Sequence, residues 1–178
     1  MAGGGGTKRK FAFPDSTTLT GLVPSVKNGM WGYAENGKFI ISPMYNYASV
    51  FEGEVARVKK GNKWGIINKN GIAITEFKYD SMEPFNTIYN VSRVTARGKH
   101  GVINMQGEEV ITVIYDGMFD YFKYGMTRVN LGGKRGLVSH TGILSPAIYD
   151  DISDYGKIDF IWDDYNPDSV IGAWVKLD

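Results

Sequence analysis

The sequence has no cysteine and no apolar stretch of membrane-spanning length, and both absences limit the functions that the chain can have. Without cysteine it forms no disulfide, carries no thiolate nucleophile and has no Cys-ligated metal. A membrane helix needs about twenty consecutive apolar residues, so no membrane span is predicted. Residues 8–10 are basic, but no apolar core follows them. No signal peptide is therefore visible, which favours a cytoplasmic protein.

Histidine is also scarce. Neither of the two histidines, His100 and His140, lies in a pattern typical of an active site. His140 adjoins Ser139 in a predicted turn, whereas a Ser–His pair needs facing groups and an orienting acid. The glycine-rich residues 132–136 lack Walker spacing and precede a strand, which disfavours a nucleotide site. We therefore expect no enzyme activity and no cofactor.

Charge is nearly balanced overall but unevenly distributed. The net charge is +1, and residues 149–178 alone carry −6 through eight aspartates and two lysines. The rest of the chain carries +7. A chain with this small net charge is not a general polyelectrolyte for nucleic acid, so nucleic-acid binding is disfavoured.

Internal repeats dominate the sequence. A Trp-Gly pair, or its drifted form, recurs at spacings of 33, 36 and 35 residues: Trp31-Gly32, Trp64-Gly65, His100-Gly101 and Arg135-Gly136. A Tyr-Asn or Tyr-Asp pair follows in each unit: Tyr45-Asn46, Tyr79-Asp80, Tyr115-Asp116 and Tyr149-Asp150. An aromatic residue lies six positions beyond each tyrosine: Phe51, Phe85, Tyr121 and Tyr155. Such a period indicates repeated supersecondary units that stack on one another.

Each unit is predicted to contain three short strands. Asn-Gly turns such as Asn36-Gly37 favour hairpins, and no segment shows a helical period over three turns. The fold class is therefore all-β: an antiparallel β-meander repeat array of about four three-stranded units. Residues 1–20 are predicted to be a flexible leader and N-terminal segment, and residues 21–178 a single domain. Its units are approximately 26–58, 59–94, 95–129 and 130–178; an open array and a ring both remain possible.

The run from Asn62 to Gly71, followed by Lys78-Tyr79-Asp80, resembles the bacterial WG (KWG) repeat family. The resemblance covers roughly residues 26–178 and implies an all-β repeat module without an activity to carry over. The glycine that follows the tryptophan persists where the tryptophan does not. We expect an aromatic side chain from an adjacent strand or repeat to lie across it, because a glycine within a strand often marks close approach.

Two sets of charged residues recur at fixed repeat positions. They are the arginines Arg57, Arg93 and Arg128, and the aspartates Asp80, Asp116 and Asp150. One interpretation is that they pair within or between units and hold the connections in place. The alternative is an arginine-lined groove for an anionic or nucleic-acid ligand.

The fourth unit carries an insertion. The distance from the tyrosine to the third-strand landmark is 12, 14 and 13 residues in the first three units, and 25 in the fourth. The added segment mixes acidic and aromatic residues, and those predicted to bind a partner are Phe160, Trp162, Asp163, Asp164, Tyr165 and Asp168. Such a surface suits docking to a basic, partly apolar protein. A capping loop and a calcium site are the alternatives.

These features predict a non-catalytic protein-binding or scaffold module that uses its repeat face and the acidic-aromatic insertion. A module that binds glycan or another cell-surface polymer is the first alternative, because aromatics exposed on a β surface suit that ligand. A nucleic-acid-associated accessory subunit is the second.

Overall fold

The computed structural model describes residues 21–123 and 125–149, which form fourteen β-strands and no helix. The strands are β1 (Val23–Lys27), β2 (Met30–Glu35), β3 (Lys38–Tyr45), β4 (Tyr47–Ala48), β5 (Val55–Lys60), β6 (Lys63–Asn68), β7 (Ser81–Met82), β8 (Val91–Ala96), β9 (Lys99–Asn104), β10 (Glu109–Tyr115), β11 (Gly117–Lys123), β12 (Met126–Leu131), β13 (Lys134–Ser139) and β14 (Gly142–Tyr149). In this part of the chain no helix is long and apolar enough to cross a membrane.

The strands pair into four antiparallel sheets in chain order: β1–β2–β3, β4–β5–β6, β7 to β10, and β11 to β14. The all-β meander predicted from the sequence is confirmed. Each sheet pairs the third strand of one sequence unit with the Trp-Gly strand of the next, as β5 pairs with β6. The sheets are therefore offset from the sequence units by one strand.

The structure departs in two places from the predicted three strands per unit. The short strands β4 and β7 and the longer β11 follow the Tyr-Asn or Tyr-Asp pairs, where an irregular connection was predicted. In the second unit, the expected second strand is reduced to the isolated bridges Ile67–Ala73 and Trp64–Tyr79. There the Thr75 hydroxyl accepts a hydrogen bond from the Ile66 amide at 3.0 Å, taking a place that a ladder carbonyl fills in a regular strand.

In the described residues the hydrophobic core is divided into three clusters, each between two consecutive sheets. The second sheet contributes Ala56 and Val58 to the cluster shared with the first sheet, and Val55 and Ile66 to the cluster shared with the third. Because side chains alternate along a strand, both faces of this sheet are buried. The third cluster joins the third and fourth sheets through residues such as Val102 and Val138. Packing between neighbouring sheets thus supplies the core, as expected for a repeat array.

Several sequence predictions fall outside the described residues. These are the leader at residues 1–20, Asp150, Tyr155, the closing strand at residues 173–176, and the predicted partner-binding residues Phe160, Trp162, Asp163, Asp164, Tyr165 and Asp168.

Candidate binding surface

In the first three units the glycine of the Trp-Gly landmark lies where neighbouring atoms would crowd an added side chain. At Gly32, an added Cβ would lie 2.8 Å from the Pro43 nitrogen and closer still to the Ile41 carbonyl oxygen. At Gly101 it would meet the Ile111 carbonyl oxygen at 2.7 Å. Among these three glycines, Gly65 is the one whose nearest neighbour is an aromatic ring, that of Phe77 at 3.1 Å. The prediction of an aromatic across the glycine is therefore confirmed at Gly65 and wrong at Gly32 and Gly101.

A bulge in the second strand explains the crowding. Trp31 pairs with Tyr45 and Tyr33 with Ile41, so two steps along β2 match four along β3. The extra residues bring the main chain of β3 over Gly32. The same shift occurs in the third sheet between β9 and β10, opposite Gly101. A proline lacks a ladder donor, so Pro43 fits in such a bulge without losing a strand hydrogen bond.

Two of the repeated arginines connect consecutive sheets. Arg57 lies on the second sheet and donates from Nη1 to the Met82 carbonyl oxygen of the third sheet at 3.2 Å. Arg93 of the third sheet donates to the Met118 carbonyl oxygen of the fourth sheet, also at 3.2 Å. Both also bind a glutamate: Arg57 binds Glu52 at 3.2 Å and Arg93 binds Glu83. These contacts fit pairing within and between units rather than an arginine-lined groove.

The Asn or Asp of each described Tyr-Asn or Tyr-Asp pair binds a hairpin turn. The turns at residues 28–29, 61–62, 97–98 and 132–133 connect each third strand to the next Trp-Gly strand, and together they form the hairpin edge. Carboxylate or amide oxygens of Asn46, Asp80 and Asp116 accept from the amides of Gly61, Arg97 and Gly132, each at 2.7 Å. Asp80 also binds Lys63, and Asp116 binds Lys99. Each aspartate thereby ties two successive hairpins together.

Acid should weaken the bonds that Asp80 and Asp116 make to the hairpin turns. The hydrogen bonds from Lys63 and the Arg97 amide hold the pKa of Asp80 below its ordinary value of 3.8, and Lys99 and the Gly132 amide do the same for Asp116. Their contribution to stability is therefore complete above about pH 4 and is lost as the pH falls through the lowered pKa.

The combined variant Asp80→Asn/Asp116→Asn tests this effect. Asparagine already occupies the equivalent position at Asn46, so the fold tolerates it. We expect the melting temperature of the wild type to exceed that of the variant at pH 7, with the difference shrinking below about pH 4. A difference that stays constant down to about pH 2.5 would contradict the role of the two carboxylates.

Aromatic rings form a row across the first two sheets, next to the hairpin edge. The aromatic row consists of Trp31, Tyr47 and Trp64, with ring centroids 6.1 Å and 5.2 Å apart and interplanar angles of 46° and 59°. Tyr47 is 41% exposed, and both tryptophans are half-buried. The ammonium of Lys59 lies 5.9 Å from the Trp64 ring centroid, within the range of a cation–π contact.

The aromatic row is confined to the first two sheets. Tyr47, Lys59 and Trp64 pair side by side across β4, β5 and β6. The matching positions in the third sheet hold Ser81, Thr95 and His100, and the Ser81 and Thr95 hydroxyls hydrogen-bond to each other at 2.7 Å. The array therefore presents an aromatic surface at its first two sheets and a polar one at its third.

The histidines show no catalytic arrangement in the described part of the chain. His100 is half-buried at the position of a repeat tryptophan, as predicted, and its Nδ1 makes no hydrogen bond. Burial and the Arg93 charge lower its pKa. The His140 ring stacks on Tyr89 with centroids 4.4 Å apart. Residues 132–136 form the hairpin between β12 and β13. Within residues 21–123 and 125–149, no group of three His, Asp or Glu side chains could hold a metal.

Three consecutive segments, residues 31–64, 64–99 and 101–134, match the model of the WG containing repeat. The chain belongs to the WG-containing repeat family. Each matched WG repeat runs from one Trp-Gly landmark to the next hairpin, so it includes the turn-binding Asn or Asp, and the first and third also include the bulge. No curated protein matches the sequence at a significant level.

Sequence analysis of the WG repeats missed most of the aromatic row as a candidate site. It identified Trp31 and Trp64 as landmarks of the fold and assigned no role to Tyr47. The available signal was a departure from the repeat: two positions beyond the landmark tyrosine, the first unit has Tyr47, whereas the next two have Ser81 and Gly117. An aromatic residue that its equivalents lack has no role in the shared core and is therefore a candidate for recognition.

Proposed function

We propose that the chain is a non-catalytic protein-binding module. The observation that carries the proposal is the aromatic row, which combines half-buried tryptophans with an exposed tyrosine on a sheet framework. Tyrosine and tryptophan are enriched among the residues that contribute most to binding at protein interfaces. Trp31 and Trp64 also pack against the core, but Tyr47 belongs to no core cluster, and the third sheet has serine and histidine where the second has Tyr47 and Trp64.

The tilt of the rings favours a protein over a glycan. A sugar ring stacks on a flat, exposed aromatic face, and extended glycan sites present such faces in series. In the aromatic row, neighbouring rings are inclined by 46° and 59° and pack against each other. Tilted rings that pack against each other offer edges as well as faces, a mixed surface that suits protein side chains and main-chain groups.

We propose the acidic-aromatic segment as a second contact of the same module. Its residues Phe160, Trp162, Asp163, Asp164, Tyr165 and Asp168 lie outside the described part, so their support is the sequence alone: large aromatics among carboxylates. Aromatic residues supply most of the binding energy in protein interfaces, and charges around them fix the orientation of the partner.

Capture from the source cells, read by mass spectrometry, tests the function. The bait Tyr47→Ser/Trp64→His places in the second sheet the residues that the third sheet has naturally, so the fold is retained. We expect the principal protein partner to be retained at least about tenfold less than by wild type, because buried interface aromatics contribute most of the affinity. The control Ile88→Ser removes an exposed apolar residue elsewhere, and it should retain the partner as well as wild type does.

A further variant bait, Trp162→Ala/Asp163→Lys/Asp164→Lys, tests the acidic-aromatic segment. Loss of the partner from this bait as well would support two contacts in one module. A partner that all baits retain equally, or recovery of polysaccharide in place of protein, would overturn the proposal.

A further inference from the structure

The hairpin edge gathers most of the basic residues of the strands that it joins. Its cations are Lys27, Lys59, Lys60, Lys63, Arg97, Lys99, Lys134 and Arg135. The strand ends and turns that carry them, residues 27–30, 59–64, 96–100 and 131–135, contain no acidic residue. Asp80 and Asp116 bring carboxylates to this edge, and they bind Lys63 and Lys99. The edge as a whole is therefore strongly cationic although the chain is nearly neutral.

The excess of positive charge is greatest beside the aromatic row. Lys27 and Lys60 are exposed on the first two hairpins. Lys59 lies over Trp64, and the ammonium of Lys60 lies 5.9 Å from the Phe77 ring centroid. Cations held against rings present charge and apolar surface together, which suits a ligand that has both.

The opposite edge of the sheets, in contrast, carries several glutamates. Glu35, Glu54 and Glu108 lie near the turns that follow the Trp-Gly strands, together with Lys38 and with Lys69, which pairs with Glu54 at 2.7 Å. Glu52 and Glu83 lie on the same side and bind arginines. An acidic ligand is thus attracted to the hairpin edge and not to the opposite edge, which fixes its orientation on the array.

We propose that the hairpin edge binds an acidic, extended segment of a protein partner, running from the aromatic row along successive hairpins. The inference rests on the proposed protein-binding function and names the chemistry of the partner. Stacked sheets pack about 10 Å apart. A polyproline-II segment rises about 3.1 Å per residue with three residues per turn. Every third side chain of such a segment therefore faces the next hairpin, so carboxylates at that spacing meet successive cations.

Single-stranded nucleic acid fits this surface less well. Its binding sites rely on aromatic rings on which successive bases stack in parallel. The rings of the aromatic row are tilted against one another, and Tyr47 lies between the two tryptophans.

A direct binding measurement tests the partner chemistry with the full chain. The probe is a fluorescein-labelled peptide of four Glu-Pro-Ser triplets followed by Trp, and its control has Gln in place of Glu. We expect the Glu peptide to bind at least about tenfold more tightly than the Gln peptide, with affinity falling as NaCl is raised. The variant Lys27→Gln/Lys60→Gln should lose about tenfold, and the matched variant Lys38→Gln/Lys69→Gln on the opposite edge should bind as wild type.

Equal binding of the Glu and Gln peptides, or equal binding by both lysine variants, would overturn the inference. Tighter binding of a single-stranded oligothymidylate that is weakened by the same Lys27→Gln/Lys60→Gln variant would replace the acidic segment with nucleic acid. The protein-binding function is judged separately by cell capture with Tyr47→Ser/Trp64→His. A captured partner with no preference for acidic peptides would therefore contradict only the partner chemistry.

Discussion

Replacing Gly32 with alanine is expected to lower the free energy of unfolding by about 3 kcal/mol. The added methyl group would lie 2.8 Å from the Pro43 nitrogen, 2.9 Å from the Ser42 carbonyl carbon and nearer still to the Ile41 oxygen. These are main-chain atoms of a bulged strand, so they move only if the pairing of β2 with β3 is disturbed. Urea unfolding followed by circular dichroism measures the loss.

Gly65→Ala is the matched control. At Gly65 the nearest atoms belong to the side chains of Phe77 and Thr75, at 3.1 Å and 3.2 Å. Side chains can shift by a few tenths of an ångström, so we expect a loss of about 1 kcal/mol. If Gly65→Ala proves as damaging as Gly32→Ala, the main-chain contact is not the reason for the glycine.

Removing the Arg57 side chain is the other substitution with a large expected effect. The side chains of Arg57 and Glu52 are only 10% and 23% exposed. Glu52 also accepts a hydrogen bond from the Phe85 amide at 2.9 Å, so the pair joins two sheets. Arg57→Ala leaves the Glu52 carboxylate unpaired and removes the donor to the Met82 carbonyl, and loss of one partner of such a pair costs about 3 kcal/mol. Urea unfolding again gives the difference.

Lys69→Ala controls for the loss of an ordinary ion pair. Lys69 and Glu54 are 47% and 81% exposed, so breaking their contact should change stability by less than about 0.5 kcal/mol. Equal effects of Arg57→Ala and Lys69→Ala would show that the bond between sheets adds no stability. Arg93→Ala should fall between the two, because its pair with Glu83 is more exposed than that of Arg57.

Much of the fold could be predicted from the repeat pattern. Turn residues such as Asn36 and Gly37 both have positive φ, as an Asn-Gly hairpin requires. The order of the strands followed from the spacing of the landmarks. The bulges could not be predicted, because a register shift depends on how the second strand packs over Gly32 and leaves no periodic signal in sequence. In the second unit the Thr75 hydroxyl takes the Ile66 amide, and this side-chain contact likewise leaves no periodic signal.

Less of the candidate surface could be predicted from the sequence. A half-buried tryptophan at a repeat landmark has the same sequence signature whether it serves the core or a partner. The contact of Tyr47 with both Trp31 and Trp64 joins residues of different sheets, so it emerges only when the sheets are stacked. The hairpin edge combines cations from four distant segments. Its charge is diluted in the sequence by the acidic residues of other turns.

The Trp-Gly landmark divides into two halves with different tolerance to change. At Gly32 and Gly101 the glycine lies against the main chain of the bulge, so a side chain there disturbs the sheet, whereas at Gly65 it meets side chains that can shift. Its first residue lies beside the hairpin edge, where Trp31, Trp64, His100 and Arg135 all occur on the same backbone. The first residue of the landmark is therefore an exchangeable position on a shared frame. Recombining repeats would rewrite the sequence of chemical groups along the edge while the scaffold beneath stayed the same.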